Sequence, residues 1–287
     1  MPLDSIAEIL ASCSERNLAF WQVVLEADVE ERQVCAGASF EKMRATWRAM
    51  LDSAESYDGG LRSVSGLSGG DGELMRRYAA GGAALGGGYI SEVIATALCV
   101  GESNACMRKI VAAPTAGACG VLPAVLVPLY RRGEREEDIL RALYTAAGIG
   151  AVINSRASIS GAAGGCQAEI GSASAMAAGA LAQLRGGGPE QTANALAMAL
   201  KNLMGLICDP VAGLVEVPCV KRNVIGAVNA VSCADMALAG ITSRIPADEV
   251  IDCMGIVGER LPREFRETAR GGLAATPTGR AAWKQLK

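Results

Sequence analysis

Three cysteines lie in loop-forming stretches of the sequence rather than in its apolar segments. Cys166 follows two glycines in SGAAGGCQAE, and Cys208 and Cys219 bound the stretch CDPVAGLVEVPC. The two prolines of that stretch fix backbone φ and should hold it in one conformation. Cysteines on rigid loops at helix ends are well placed to bind an inorganic centre through their thiolates. A cysteine is more often a small buried apolar residue, but the glycines and prolines around these three favour the inorganic centre.

The other seven cysteines lie mostly in apolar, helical surroundings, and we expect them to be core residues. They are Cys13, Cys35, Cys99, Cys106, Cys119, Cys233 and Cys253. Cys119 differs from the rest because it falls inside a turn motif. Ten cysteines without a secretory signal indicate a reducing compartment. We therefore expect a cytoplasmic protein without disulfides.

No histidine occurs among the 287 residues. This excludes Ser-His-Asp and Cys-His catalysis, imidazole general bases and histidine-containing zinc sites. A metal must therefore be bound by thiolates or carboxylates. A general base must be Lys, Glu, Asp, Cys or Tyr, or must come from another chain.

Charge and hydropathy exclude several classes of partner. The formal net charge of -3 gives no electrostatic case for binding nucleic acid or an anionic membrane. The first residues, MPLDSIAEIL, contain neither a basic region nor a long apolar run, so we expect no signal peptide. No segment offers about 20 uninterrupted apolar residues, so we expect no membrane span.

Apolar residues recur at helical spacing through most of the chain, and no stretch alternates as a strand would. Small residues dominate the hydrophobic fraction and aromatic residues make up only 4%, which favours closely packed helices. The sequence predicts an all-α fold. Two or three helices form an N-terminal arm over residues 1–58, and a helical domain over residues 59–287 carries the candidate site, the two together making one structural unit.

Within the second part, Gly and Pro residues suggest the helix ends. The predicted helices are about Tyr89–Val100, one from about Cys119, about Glu136–Val152, an alanine-rich helix ending at Gly186, about Glu190–Met204, about Lys221–Ala239, and a shorter one after Pro246. Pro128 should kink or end its helix. The tail from residue 271 is predicted to be irregular or loosely helical.

Four glycine-rich, polar loops interrupt these helices at residues 65–72, 114–120, 154–166 and 205–219. Such loops cost backbone entropy, so several in one chain suggest that they converge on a site. The amides of 114–120 can face an anion. For the segment around 65–72, a flexible linker and an ordered site loop both remain open.

Four long blocks carry a family resemblance: SGLSGGDG, IVAAPTAGACGVLPAV, INSRASISGAAGGCQAEIGSASAMAAGAL and LKNLMGLICDPVAGLVEVPCVKRN. They closely resemble the iron–sulfur L-serine dehydratases (L-serine ammonia-lyases), most of all the α chain of the two-chain form. The match extends from about residue 60 through GITSRIPADEVID and GGLAATPTG. The resemblance implies that Cys166, Cys208 and Cys219 hold a [4Fe–4S] cluster on which the glycine-rich loops converge.

The family chemistry agrees with the residues present. Three thiolates leave one iron of the cluster without a protein ligand, and that iron can act as a Lewis acid toward the hydroxyl and carboxylate of L-serine. Water is then eliminated without pyridoxal phosphate. A base removes the α-proton, and the aminoacrylate product becomes pyruvate and ammonia. An iron open to oxidants makes such an enzyme oxygen-sensitive.

The resemblance leaves the base unassigned. Charged residues near the ligands in sequence are Lys201, Glu169 and Lys221, of which the first two are our catalytic candidates. Each has an alternative interpretation as a loop salt-bridge or helix-cap residue. Candidate holders of the substrate carboxylate, besides the amides of 65–72 and 114–120, are Ser65, Thr115, Asn154 and Ser160.

Two departures from the single-chain members of the family bear on function. Those proteins carry a histidine just upstream of their Cys-Asp-Pro motif, where this chain reads LKNLMGLICDP, and they end in a cysteine, where this chain ends in Lys287. Without a histidine or a clear base, the chain is expected to work with the family's β chain in a hetero-oligomer.

Two other functions remain as alternatives. A non-catalytic iron–sulfur electron carrier or oxygen sensor would favour four compactly spaced cysteine ligands, which this chain lacks. A pyridoxal-phosphate enzyme would need a Schiff-base lysine and a phosphate cup. The stretch PTAGA could form the cup, but no lysine lies in a persuasive context.

Overall fold

The computed structural model describes residues 4–286, and over that range it contains helices and turns but no β-strand. The α-helices are α1 (Ile6–Arg16), α2 (Phe20–Arg32), α3 (Ala36–Glu55), α4 (Asp71–Ala80), α5 (Gly87–Ala105), α6 (Val121–Arg131), α7 (Glu136–Arg156), α8 (Gly161–Gly164), α9 (Ser172–Leu184), α10 (Pro189–Asn202), α11 (Cys219–Leu238), α12 (Ala247–Arg260) and α13 (Pro277–Gln285). The predicted all-α fold is confirmed. None of the described helices combines the length and apolarity needed to cross a bilayer.

Helix α9 is the centre of the fold. Its residues from Ser172 to Ala182 are all buried, as expected of a helix that is apolar on every side. It packs against α6, α7, α10 and α11. Small side chains permit the close approach, since a Cβ added at Gly179 would lie 2.3 Å from the Cδ1 atom of Ile149 on α7.

The N-terminal helices α1–α3 share this core. Phe20 of α2 and Trp47 of α3 are fully buried in the same hydrophobic cluster as the helices that follow. The Phe40 ring contacts Tyr144 of α7 edge-on, with 5.2 Å between ring centroids. The boundary predicted at residue 58 lies in the loop between α3 and α4.

Several helix ends differ from the sequence prediction. Helix α7 continues to Arg156, so Asn154 lies in its last turn rather than in a loop. Pro128 was predicted to kink or end its helix, but it does not end α6, which runs on to Arg131. A proline in the last turn removes one hydrogen bond without blocking the residues after it. The tail from residue 271, predicted to be irregular or loosely helical, forms a 3-10 turn at Gly272–Ala275 and then α13.

Candidate functional site

Loops from three parts of the chain meet around the carboxylate of Glu169. This residue lies in a π-helical turn, Gln167–Gly171, that leads into α9. A Cβ added at Gly117 would lie 3.4 Å from its Oε1 atom, and one added at Gly161 would lie 2.7 Å from Oε2 and 3.1 Å from the Sγ of Cys208. A side chain at position 161 would therefore fill the space between Glu169 and Cys208, which explains the glycine there.

The three loop cysteines are buried and lie close enough to interact electrostatically. Cys166 and Cys208 are each 2% exposed and Cys219 is 8% exposed. Burial raises the pKa of the Cys166 thiol to about 11 and that of Cys219 to about 12. Burial also raises the pKa of Cys208, with further rises from Cys166, Glu169 and Cys219. Three thiols and one carboxylate thus share a poorly solvated environment.

Backbone hydrogen bonds connect the segment of Cys166 to that of Cys208. Gly165 has a φ of +76°, which favours glycine. The Gln167 amide donates to the Leu206 carbonyl at 2.9 Å, and its side-chain Oε1 accepts from the Gly205 amide at 2.7 Å. The loop 205–219 is therefore held directly against the turn that carries Cys166.

Cys208 is connected to the C-terminal segment. Its amide donates to the Phe265 carbonyl at 2.8 Å, and its carbonyl accepts from the Glu267 amide at 3.0 Å. These bonds form an isolated parallel bridge between Cys208 and Arg266. The tail therefore forms part of the wall around this cysteine.

Asn223 fixes Cys219 relative to the 114–120 loop. Its Nδ2 donates to the Gly117 carbonyl at 2.8 Å and to the Cys219 carbonyl at 3.0 Å, while its Oδ1 accepts from the Gly120 amide at 2.8 Å. The side chain is 1% exposed. One buried amide thus connects the first residue of α11 to the turn before α6.

The donor set fits an iron–sulfur cluster better than a single metal ion. Among residues 4–286, no three Cys, Asp or Glu side chains converge closely enough to hold one ion. A cubane distributes its cysteine ligands over different irons, so its thiolates stand further apart than the ligands of one ion. Soft thiolates select such clusters, and the three cysteines with Gly161 leaving space beside Cys208 are compatible with one.

Glu169 has polar neighbours but no cationic partner among the described residues. Burial raises the pKa of its carboxyl group, Thr115 opposes the rise, and Glu267 adds to it. The Thr115 hydroxyl oxygen is buried and makes no hydrogen bond of acceptable geometry within residues 4–286, so its influence on Glu169 is one of proximity. Both groups are available to a ligand.

The other predicted carboxylate holders are placed differently. Ser65 donates to the Oε2 of Glu216 at 2.6 Å, as does Ser63, so the 65–72 loop is fastened to the 205–219 loop rather than being a free linker. Ser160 is exposed and lies directly before Gly161, and Asn154 is exposed on α7. The hydroxyl of Ser65 therefore already donates its hydrogen bond to the Glu216 carboxylate.

Lys201, a catalytic candidate, and Lys221, which is also near the cysteines in sequence, make their contacts outside this group. The Nζ of Lys201 donates to the backbone carbonyl of Ser243 at 2.7 Å, in the loop between α11 and α12. Lys221 is exposed and forms an ion pair with Asp71 at 3.0 Å, at the start of α4. These contacts match the alternative interpretation of both residues as loop or helix-end partners.

Sequence reasoning missed Arg222, Asn223 and Glu267. The first two follow Cys219 within the block CVKRN, so a basic and an amide side chain one helical turn after a candidate ligand were a usable signal. Their partners lie far away in the chain, however, and spacing alone does not reveal them. Glu267 lies between α12 and the tail that begins at residue 271, in a segment that carried no predicted site residue.

Comparison with known proteins gives matches along most of the chain. The profile of the family described as Serine dehydratase alpha chain matches residues 15–274. Over 283 residues the chain is 46% identical to "Probable L-serine dehydratase, alpha chain" of Bacillus subtilis strain 168, covering 98% of this chain and 94% of the relative. It is 40% identical to "L-serine dehydratase, alpha chain" of Peptoniphilus asaccharolyticus, covering 96% of each. It is 48% identical over 181 residues to "L-serine dehydratase TdcG" of Escherichia coli strain K12, covering 62% of this chain but 40% of that relative.

Proposed function

The chain belongs to the serine dehydratase alpha chain family, and from that premise we propose that it is the alpha chain of an L-serine dehydratase, which eliminates water from L-serine to give pyruvate and ammonia. The observation that carries the proposal is the meeting of Cys166, Cys208 and Cys219 with Glu169 in one poorly solvated site. An electron carrier would need neither the carboxylate nor the glycines that leave space beside it.

The proposed cofactor is a [4Fe–4S] cluster held by the three cysteines, with no pyridoxal phosphate. When bound, it would supply an iron without a protein ligand, acting as a Lewis acid toward the substrate. All ten cysteines are free thiols, which supports a reducing compartment, and we propose the cytoplasm.

Glu169 is our candidate for the group that takes the α-proton. Its carboxylate lies between Gly117 and Gly161 and next to Cys208, within the space that a substrate near the cysteines would occupy. As the proton passes from Cα to Glu169, the electron pair of the Cα–H bond forms the Cα=Cβ bond and the Cβ–O bond of L-serine breaks. The departing hydroxide and the proton taken by Glu169 together make up the water that is released, which returns Glu169 to its carboxylate form. The aminoacrylate then tautomerises and is hydrolysed to pyruvate and ammonia. Lys201 could replace Glu169 only by giving up its bonds to Ser243.

The substrate carboxylate is proposed to bind at the 114–120 turn. The Thr115 hydroxyl is buried without a hydrogen-bond partner among residues 4–286 and can donate to an anion there. Gly117 of the same turn approaches the Glu169 carboxylate, since a Cβ added there would lie 3.4 Å from Oε1. Ser160, exposed beside Gly161, is a second donor at the rim. Ser65 and Asn154 stay predictions, since neither makes a described contact with Glu169.

The proposal is tested by anaerobic reconstitution of the chain with iron and sulfide, followed by metal and sulfide analysis and an absorbance spectrum. Serine replacement of Cys166, Cys208 or Cys219 should abolish the chromophore and serine-dependent pyruvate formation. Cys253→Ser is the matched control, because Cys253 is exposed on α12. Full iron content in any one of the three variants would remove that cysteine from the ligand set.

A further inference from the structure

A buried ion pair lies directly behind two of the proposed ligands. The Nη2 of Arg222 donates to the Oδ1 of Asp209 at 2.8 Å, and their side chains are 15% and 3% exposed. Asp209 is the residue after Cys208, and Arg222 lies one turn after Cys219 on α11. Each proposed ligand in the 205–219 region therefore has a member of this pair close to it in sequence.

The guanidinium has two further neighbours. Its Nη1 donates to the Ile207 carbonyl at 2.9 Å, on the other side of Cys208 from Asp209. The guanidinium also lies close enough to the Cys166 thiol to oppose the rise that burial causes in the pKa of that thiol. A planar fork with five donors can hold several acceptors in fixed geometry, which a lysine ammonium cannot.

The second oxygen of Asp209 holds the C-terminal segment. Its Oδ2 accepts from the Leu273 amide at 2.8 Å. Gly272 has a φ of +57°, and a Cβ added there would lie 2.3 Å from this Oδ2 atom. The tail thus approaches Asp209 so closely that only glycine fits. Together with the Cys208 bonds to Phe265 and Glu267, this contact fastens residues 265–273 to the ligand loop.

We infer that Arg222 and Asp209 are positioning residues for the iron–sulfur cluster, setting Cys166 against Cys208 and fastening residues 265–273 over the ligand loop. A buried ion pair contributes little net stability compared with apolar packing, so stability alone does not explain it. Its contacts instead join three segments distant in the sequence, and its cation lies where thiolates would carry negative charge. The inference rests on the cluster proposed above.

The first test measures iron and sulfide content and the absorbance and electron paramagnetic resonance spectra after anaerobic reconstitution. We expect Arg222→Lys and Asp209→Asn each to retain less than about half of the wild-type iron and to show a changed spectrum, because a single ammonium or a neutral amide cannot hold the same partners. The control is Arg44→Lys, which alters the ion pair between α3 and Glu136 of α7. It should retain wild-type iron content.

The second test needs no cluster. In the apo protein, hydrogen exchange of the amides in residues 265–273 should become about tenfold faster in Asp209→Asn, whereas exchange in α9 should not change, which also shows that the variant is folded. Wild-type iron content and spectrum in both variants, or unchanged exchange at Leu273, would overturn the inference. A wild-type chain that binds no iron would instead overturn the cluster proposal, and faster exchange in Asp209→Asn would still support the fastening of the tail.

Discussion

Glu169 differs from the other carboxylates inside the protein in what surrounds it. Glu102 accepts hydrogen bonds from Tyr57 and two backbone amides, and Glu216 accepts from two serines. Glu169 forms no ion pair with the described residues and lies between glycines. A poorly solvated carboxylate without compensating partners is costly, and such groups concentrate at functional sites.

Replacement of Glu169 by Gln should therefore separate chemistry from cluster binding. The amide has nearly the same shape but cannot take a proton, so kcat should fall about 10²–10⁴-fold while iron and sulfide content stay at the wild-type level. Exposed Glu190 on α10 provides the control, as Glu190→Gln should change neither. Wild-type kcat in Glu169→Gln would direct attention to Lys201.

Thr115→Val tests the proposed carboxylate site. The buried hydroxyl has no partner among residues 4–286, so its removal should leave Tm unchanged or slightly raised, because an unsatisfied polar group costs free energy. If L-serine uses this hydroxyl, KM should rise about tenfold with little change in kcat. A lower Tm together with an unchanged KM would assign Thr115 a purely structural role.

Residue type was informative where the chemistry is local and uninformative where it is distant. Cys166, Cys208 and Cys219 were chosen because glycine and proline flank them in the sequence; all three are buried, and their role as ligands stays a prediction. Lys201 is close to Cys208 in sequence, but helix α10 directs its side chain to Ser243. Arg222 makes its contacts through the tertiary fold, to residues 13–15 positions away and to Cys166, which no spacing rule predicts.

At the scale of elements, periodicity predicted the helices but not all of their ends. The apolar repeat of α7 and the all-apolar α9 are strong signals. Polar residues at a helix end give no such signal. The last turn of α7, which extends through Asn154 to Arg156, was therefore not predicted. The π-helical turn that presents Glu169 was not predicted either, because its geometry depends on the bonds of Gln167 to Leu206 and Gly205.

The packing of α5 and α11 around the 114–120 turn makes Gly120 sensitive to substitution. A Cβ there would lie 2.8 Å from the Ala97 carbonyl and 3.0 Å from the Oδ1 of Asn223. Gly120→Ala should lower the free energy of unfolding by about 1–3 kcal/mol through overpacking, as measured by chemical denaturation. Gly88→Ala is the control, since the nearest atom to its Cβ would be 3.6 Å away. Equal stability of the two variants would contradict this close packing.

Tyr57 connects the loop before α4 to α5 and should make stability depend on alkaline pH. Burial and its hydrogen bond to Glu102 raise the pKa of Tyr57 above its ordinary value of 10.0; Cys99 also raises it, and the Arg76 guanidinium lies 5.1 Å from its ring centroid. The unfolded chain therefore loses this proton first. The contribution of Tyr57 to the free energy of unfolding is fully present below pH 10. It is lost as the pH rises toward the pKa of Tyr57 in the folded protein.

Tyr57→Phe should cost about 1–3 kcal/mol at pH 7, because the buried Glu102 carboxylate loses a donor. The difference in unfolding free energy between wild type and variant should then shrink above pH 10, where the wild type loses the contribution of its tyrosine. Denaturation curves at several pH values measure this difference. A constant difference between pH 7 and pH 11 would contradict the assigned shift.

At the scale of the whole molecule, the candidate site is open at its rim. Exposed residues adjoin Glu169: Ala116 precedes Gly117, Ser160 precedes Gly161, and Glu267 lies close enough to raise the pKa of Glu169. Exclusion of water strengthens the electrostatic interactions that stabilise developing charge, so an open rim favours a second surface that closes over it. The full-length relatives are named alpha chains, and that name implies a beta chain.

We therefore expect serine turnover to require the beta chain, in an α–β hetero-oligomer with the site at or near the interface. The alpha chain alone, anaerobically reconstituted, should hold its cluster but turn over L-serine about 100-fold more slowly than the mixture, because water that enters at the exposed rim weakens the electrostatic stabilisation of the charge developing on the substrate. Titration with the purified beta chain should raise the rate to a plateau at a fixed molar ratio, and light scattering should show a complex of matching mass. Cys208→Ser in the alpha chain, mixed with the same beta chain, should remain inactive and so exclude turnover by the partner itself. Equal rates with and without the beta chain would contradict the two-chain arrangement and would leave a self-sufficient alpha chain, for example a homodimer, with Glu169 or Lys201 as its base.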